Sequence, residues 1–224
     1  MKPAIKRIGL VLFVAAVVRV GWWWMHLSDV TSGGHALRAA SADTGLLTVF
    51  ALHHSLLARP AAKRWVTKWV PADLVRSAYV WVASLLLMAV TWLWVPIGVD
   101  VYHASGAMHV LLLSAQVAGI ALSILCVRKI SVSELAGLAE PKPTDVLQHD
   151  GPYRFVRHPL YSGWVLIFFG TPVMTGDRLL FATVTTAYLL IAMPFEEAGL
   201  TSQCGNRYLE YRRVVRWRLI PYIH

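Results

Sequence analysis

Three stretches of this sequence carry side chains that can do chemistry. The first is Gly151-Pro152-Tyr153-Arg154-Phe155-Val156-Arg157-His158-Pro159-Leu160-Tyr161-Ser162-Gly163. Pro159 suits the first turn of a helix, where its missing N–H costs nothing. Arg157 and His158 then stand beside a helix start, where free N–H groups and the positive helix end favour an anion. A ligand carboxylate is one natural guest, and an interfacial cluster that anchors a helix end is the other reading. The second stretch is Glu196-Glu197-x-x-Leu200, followed by Gly205-x-x-Tyr208-x-x-Tyr211-Arg212. Two adjacent acids directly after an apolar helix are costly if buried and unpaired. They do not share a helix face, so they need different partners: a cationic or hydroxyl-bearing ligand for one, an arginine for the other. Tyr208, Tyr211 and Arg212 share a face by their three- and four-residue spacing. An amphipathic helix lying on anionic lipid would show the same spacing. The third stretch is His53-His54. An imidazole can take a thiol proton near neutral pH, or can simply pack between helices.

Taken together, the first two stretches resemble the isoprenylcysteine carboxyl methyltransferase and phospholipid methyltransferase superfamily. The resemblance covers about residues 150–221, with two separate motifs in order and an apolar hairpin between them. It implies that this segment forms a site for S-adenosylmethionine as methyl donor. No Rossmann domain is implied, in keeping with the lack of a Gly-x-Gly-x-x-Gly loop after a strand. His158, Tyr161 and Gly163 match the first motif, Glu196, Glu197 and Leu200 the second, and Tyr208, Tyr211 and Arg212 the tail. The tail departs from the pattern: the usual Val-Pro is replaced by Val214-Val215-Arg216, although Pro221 remains. By the resemblance, Arg157, His158 and Arg212 would hold the donor's carboxylate or fix the loop. Glu197, with Glu196, would hold its ammonium or ribose. Tyr153, Tyr161 and Tyr208 would wall the adenine or the sulfonium, since aromatic faces attract cations.

Upstream, His53-His54-Ser55-Leu56-Leu57-Ala58-Arg59-Pro60 and Arg76-Ser77-x-Tyr79, and in the hairpin Thr171-Pro172-x-Met174-Thr175, look like the methanethiol S-methyltransferases of bacteria. This extends the similarity to most of residues 45–221. It implies a small thiol as acceptor and dimethyl sulfide as product, and His53 and His54 are then the candidate catalytic groups on the acceptor side by their own chemistry. A lipid amine, a prenylcysteine carboxylate or another lipophilic acceptor are the alternatives. A non-catalytic membrane protein of the same fold is the reading from another class.

The elements that must position these groups are membrane helices. The chain has 224 residues and is 57% hydrophobic, where soluble domains are about 45–50% apolar. Its mean hydropathy is +0.54. At about 17–25 residues per crossing, six apolar stretches can be marked: about Ile8 to Leu27, Thr44 to Ala58, Leu74 to Ile97, Met108 to Val127, Leu160 to Thr175 and Leu179 to Phe195. The first lacks a small-x-small cleavage site and reads as a retained helix. The last two form a hairpin with its turn at Thr175-Gly176-Asp177-Arg178. The expected fold is all-α: a polytopic transmembrane bundle of about six crossings with a cytoplasmic donor-binding cap. Residues 1–127 would supply four helices. Residues 128–224 would supply the polar loop, the hairpin and the C-terminal helix of the donor site, within one integrated domain.

Charge sets the orientation. The formal charge is +9. Of 21 basic residues, 18 fall before the first stretch, from the end of the second to Arg76 at the start of the third, between the fourth and fifth, and after the sixth. By the positive-inside rule that face is cytoplasmic, with both termini on it; the resemblance to bacterial enzymes implies a bacterial inner membrane. Topology thus accounts for most of the positive charge. Nucleic-acid binding is excluded as a reading, because the basic residues sit in short loops between apolar runs and not on a soluble face. Cys126 and Cys204 fall on the cytoplasmic side, where thiols stay reduced. Neither a disulfide nor a zinc site is expected from their spacing. Arg19 lies inside the first stretch, where snorkelling, a structural pair or a function would each explain it. Trp22, Trp23, Trp24, Trp92 and Trp94 read as interfacial anchors.

Overall fold

A computed structural model describes residues 2–27, 35–57, 60–129, 138 and 147–223. Most of the polar loop after Lys129, with Lys142 and its prolines, lies outside the described residues, as do Ala58 and Arg59. The protein is mostly helical. The helices are α1 (Lys2–His26), α2 (Ala36–Leu57), α3 (Pro60–Val66), α4 (Val75–Leu93), α5 (Gly106–Val127), α6 (Pro159–Phe169), α7 (Gly176–Cys204) and α8 (Asn206–Val214). Two short strands, β1 (Asp100–His103) and β2 (Val173–Thr175), form a two-stranded sheet.

Among the described residues, four helices are long and apolar enough to cross a membrane: α1, α4 with the turn before it, α5 and α7. The other two expected crossings differ from full spans. α2 has 22 residues but carries Arg38, Asp43, His53 and His54, which lower its hydropathy. α6 has 11 residues, about 16 Å at 1.5 Å per residue, or roughly half a hydrocarbon core. The residues expected to turn the hairpin, Gly176-Asp177-Arg178, are instead the first turn of α7. At 29 residues that helix spans about 43 Å. It therefore has length left over after a crossing of about 30 Å, and Glu196 and Glu197 stand on that excess and not beyond the helix end.

By its internal contacts the chain divides into two compact units. The first comprises Met1–Val101, Ser133–Glu140 and Thr175–Val184, and the second Tyr102–Val132, Pro141–Met174 and Thr185–His224. In the first unit α4 packs against α1 and α2. Trp23 and Trp94 are buried and meet Phe181 edge-on, with Trp24 beside them. Only Trp22 and Trp92 of the expected anchors are largely exposed. Arg19 donates to the Thr91 carbonyl at 3.2 Å and stands over both exposed rings. Asp177, fully buried, accepts from Trp94 Nε1 at 2.8 Å and from the backbone N–H groups of Ile97 and Gly98. Pro96 ends the helical run, and this carboxylate satisfies the donors that the break leaves open.

The second unit is built on a close approach of α5 and α6. A Cβ on Gly119 would lie 2.6 Å from the Gly163 carbonyl oxygen and 2.8 Å from Leu166 Cβ. A Cβ on Gly163 would lie 2.5 Å from Ser123 Oγ. Gln116 Nε2 donates across the same interface to the Ile167 carbonyl at 3.1 Å. Small residues and interhelical hydrogen bonds are how helices associate where lipid removes the hydrophobic drive. Away from this seam α5 exposes Val110, Leu111, Val117, Ile120 and Ile124, an apolar face suited to lipid.

Overpacking this seam should cost about 1–3 kcal/mol. Gly119→Val is expected to lower the melting temperature of the purified protein. Gly21→Ala, at a helical glycine with nothing within 4 Å of an added Cβ, should not. Differential scanning fluorimetry in detergent compares the two.

Candidate active site

The second unit brings two sequence stretches, 40 residues apart, onto one carboxylate. Glu197 is 3% exposed. Its Oε1 accepts from Arg157 Nε at 2.7 Å, and its Oε2 from Arg218 Nη2 at 3.1 Å. His158 Nε2 lies 3.4 Å from Oε1. A buried carboxylate is tolerable only with such partners. Arg157 is itself nearly buried, and its Nη1 donates to the Val215 carbonyl at 2.9 Å.

Glu196, one residue earlier, has the opposite environment. The helix turn between neighbours sends it to another face, and its side chain is 46% exposed. Its Oε2 accepts from the Tyr161 hydroxyl at 2.9 Å and lies 3.6 Å from His158 Nδ1. His158 therefore stands between the two acids, and its ring stacks on Tyr161 at 5.4 Å and 9°. His158 forms the N-cap of α6, with Pro159 at the first helical position. Burial drives the imidazole's pKa below its ordinary 6.5, against the pull of Glu196 and Glu197 and with the help of Arg157. The ring is held neutral.

α8 closes the cluster. Gly205 takes φ +55° between α7 and α8, a left-handed corner that a side chain would strain. The following turns bring Tyr208 inward, to 1% exposure. Its hydroxyl is buried without a hydrogen-bond partner among the described residues. Burial first, and then Glu197, push its pKa up to about 12, with Arg157 and Arg212 opposing. Tyr211 donates to the Tyr153 carbonyl at 2.7 Å, fastening α8 to the Gly-Pro-Tyr-Arg turn. Tyr211 also lines an open cavity of about 560 Å³ together with Arg154 and Arg207. Arg212 is exposed and makes no hydrogen bond or ion pair among the described residues.

Of the expected site residues, Arg157, His158, Tyr161, Glu196 and Glu197 are in direct contact, and Tyr208 stands within electrostatic reach. Tyr153 joins through Tyr211. Gly163 belongs to the α5–α6 seam. Leu200 is half-buried one turn beyond the acid pair. His53 and His54 belong to the first unit. There His54 Nδ1 lies 2.7 Å from the Tyr79 hydroxyl, and His53 stacks on the Tyr79 ring at 5.5 Å. Both ring nitrogens of His53 are buried without a partner among the described residues. Arg218 is the group that sequence reading missed. Its only signal was one more arginine in a basic tail, which names no partner.

The model of the phospholipid methyltransferase family matches residues 108–207. A methanethiol S-methyltransferase of Crocosphaera subtropica is 39% identical over 204 residues, covering 87% of this chain and 80% of that protein. This chain belongs to that family of membrane methyltransferases. A methanethiol S-methyltransferase of Mycobacterium tuberculosis is 40% identical over 198 residues, covering 84% of this chain and 80% of its own length. Methanethiol S-methyltransferase 2 of Bradyrhizobium diazoefficiens is 37% identical over 195 residues, covering 84% of this chain and 75% of its own. No solved structure matches the chain significantly. The family match spans α5, α6 and α7 and so contains both His158 and the acid pair. The chain is a methyltransferase, and its four long apolar helices make it a membrane protein.

Two consequences can be measured. Glu197→Gln leaves Arg157 buried and uncompensated, which should cost about 3–5 kcal/mol. Glu196→Gln removes a half-exposed group and should cost less than about 1 kcal/mol. Chemical denaturation in matched detergent compares the two. The second consequence is a pH dependence. His158 is lowered in the folded state, so the unfolded chain binds the extra proton as pH falls through about 6.5. Stability contributed by the neutral ring is complete above that value and declines below it, toward the folded-state pKa. Arg157, Glu196 and Glu197 are the charged groups facing the ring. A melting-temperature profile from pH 8 to 5 should show this acid limb, and His158→Asn should flatten it.

Proposed function

We propose that this protein transfers the methyl group of S-adenosylmethionine to a small thiol, methanethiol first among them, at the cytoplasmic face of a bacterial inner membrane. The observation that carries the reading is the convergence of His158 with Glu196 and Glu197, from distant stretches, on one cluster. The names of the relatives support the thiol. The distribution of basic residues supports cytoplasmic termini.

The residues suit such a donor. It brings a methyl on a cationic sulfonium, an ammonium, a carboxylate and ribose hydroxyls. Glu196, partly open and oriented by Tyr161, is the carboxylate left for the ammonium or the ribose. Glu197 is engaged by Arg157 and Arg218, so the ligand contact moves from Glu197 to its neighbour. Arg212, exposed and unpaired among the described residues, is the guanidinium for the carboxylate. Arg157 fixes the loop. The unpartnered Tyr208 hydroxyl is a donor or acceptor in want of a ligand, and buried polar groups seldom stay unsatisfied. The face of Tyr161, backed by His158, suits a cation. The role of Gly163 is to let α6 approach α5. His53 and His54 are proposed as the acceptor-side groups, since an imidazole takes a thiol proton near neutral pH.

Transfer between a sulfonium and a thiolate is an in-line displacement in which charge is lost. The site contributes alignment and exclusion of water. No covalent protein intermediate is needed, and Cys204 has no part in it.

Purified protein incubated with methyl-labelled S-adenosylmethionine and a panel of thiols, amines and carboxylates should give labelled dimethyl sulfide in the headspace with methanethiol. Transfer to no thiol would remove the reading. In the same assay Glu196→Gln should raise the donor KM by about tenfold, the loss of one charge-assisted contact, with the thiol KM unchanged.

A further inference from the structure

Beyond α8 the chain runs as an irregular tail past Pro221, and its first part lies along the Arg157–Ser162 stretch. The carbonyl oxygens of Trp217 and Arg218 accept the backbone N–H groups of Arg157 and His158, each at 2.9 Å. Ser162 Oγ donates to the Leu219 carbonyl at 2.6 Å. Val215 and Leu219 are buried, at 5% and 8% exposure. Arg218 also reaches past its own backbone to Glu197, with Nη2 on one carboxylate oxygen and Nε at 3.3 Å from the other.

We propose that Arg218 is a positioning residue for methyl-donor binding, clamping the tail across the Arg157-His158 turn and keeping Glu197 away from the donor so that Glu196 meets it. The inference rests on the donor-site reading above.

The division of labour follows from partners. Arg157 meets Glu197 through Oε1 alone, and its Nη1 is taken by the Val215 and Arg216 carbonyls. Among the described residues Arg218 is the only partner of Oε2. Without it, Oε2 of a buried carboxylate would lack a donor, and the groups left beside Glu197 are Arg157 and His158. The carboxylate would turn toward the imidazole and draw it from Tyr161 and Glu196. The tail would lose its side-chain attachment and retain only its backbone bonds. Arg218 is 31% exposed on its side chain, against 7% for Arg157. Its removal therefore strands no buried cation, and the fold should survive its loss better than the loss of Arg157.

The test uses the full chain in lipid nanodiscs, with Arg218→Gln and Arg218→Lys. Arg218→Gln should raise the donor Kd by calorimetry and the donor KM about tenfold or more, and leave the thiol KM within twofold. Arg218→Lys should recover part of the loss by restoring one cation. The acid limb of the pH–rate profile should move to higher pH in Arg218→Gln, because Glu197 then bears on His158 with less compensation. Hydrogen exchange at the Arg157 and His158 amides should quicken whether or not the donor is present. Should Arg218→Gln not fold, Ser162→Ala loosens the same tail, and it and Arg218→Lys are held to the same donor-against-thiol comparison. Donor Kd within twofold of wild type, with unchanged exchange, overturns the proposal. Absence of donor binding by the wild type would overturn the donor-site reading instead. Exchange would then still decide whether Arg218 clamps the tail.

Discussion

A carboxylate held at 3% exposure must either give up its charge or be surrounded by cations, since the desolvation of an unpaired ion costs several kcal/mol. Glu197 takes the second course. Its partners come from two places in the chain: the Arg157-His158 turn before α6 and the tail beyond α8. Neither segment could leave without weakening the neutralisation of the charge. One buried acid thereby determines where the Arg-His-Pro turn, the end of the long helix and the C-terminal tail meet.

The neighbour's freedom follows from that constraint. Adjacent residues on a helix point about 100° apart, so once Glu197 is turned to the arginines, Glu196 must face elsewhere. It faces Tyr161 and the open side of the cluster. The pair is a division between a carboxylate that holds the architecture and one that remains available. The same arrangement explains a mid-motif tyrosine in Pro-x-Tyr-x-Gly. Two residues past Pro159, Tyr161 can reach Glu196, while Gly163, two further on, lies against α5 and lets α6 approach it.

Much of this was legible before any coordinates. Apolar run lengths marked α1, α4, α5 and α7, the helices long and apolar enough to cross a membrane, because burial in lipid imposes a length that sequence must display. The motif spacing named the members of the cluster, because acids after an apolar helix and an arginine-histidine pair before a proline are rare enough to stand out. The misread places are those where tertiary partners decide. Asp177 looked like a turn residue because Thr-Gly-Asp-Arg is turn chemistry; it is instead a helix-start carboxylate engaged by Trp94 and two backbone donors. Trp23 and Trp94 looked like interfacial anchors because sequence cannot say which face of a helix meets a neighbour. The half-length α6 was drawn too long because Pro172, Val173 and Met174 continue the apolar run after Gly170 ends the helix. Arg218 was invisible because one arginine among many in a basic tail carries no mark of its partner.

The charge balance of the cluster bears on the kind of ligand it can accept. Arg157 and Arg218 offset Glu196 and Glu197, and burial keeps His158 neutral. A protonated imidazole would put a third positive charge beside Tyr161 and Glu196, where the proposed donor would bring its own cationic groups, and like charges at that range are repulsive even with solvent screening. A neutral ring adds no such charge. The low pKa of His158 is thus more than a by-product of burial. The same desolvation that lets helix, turn and tail pack around Glu197 keeps the surroundings of Glu196 from turning positive, so the packing requirement and the binding requirement coincide on one side chain.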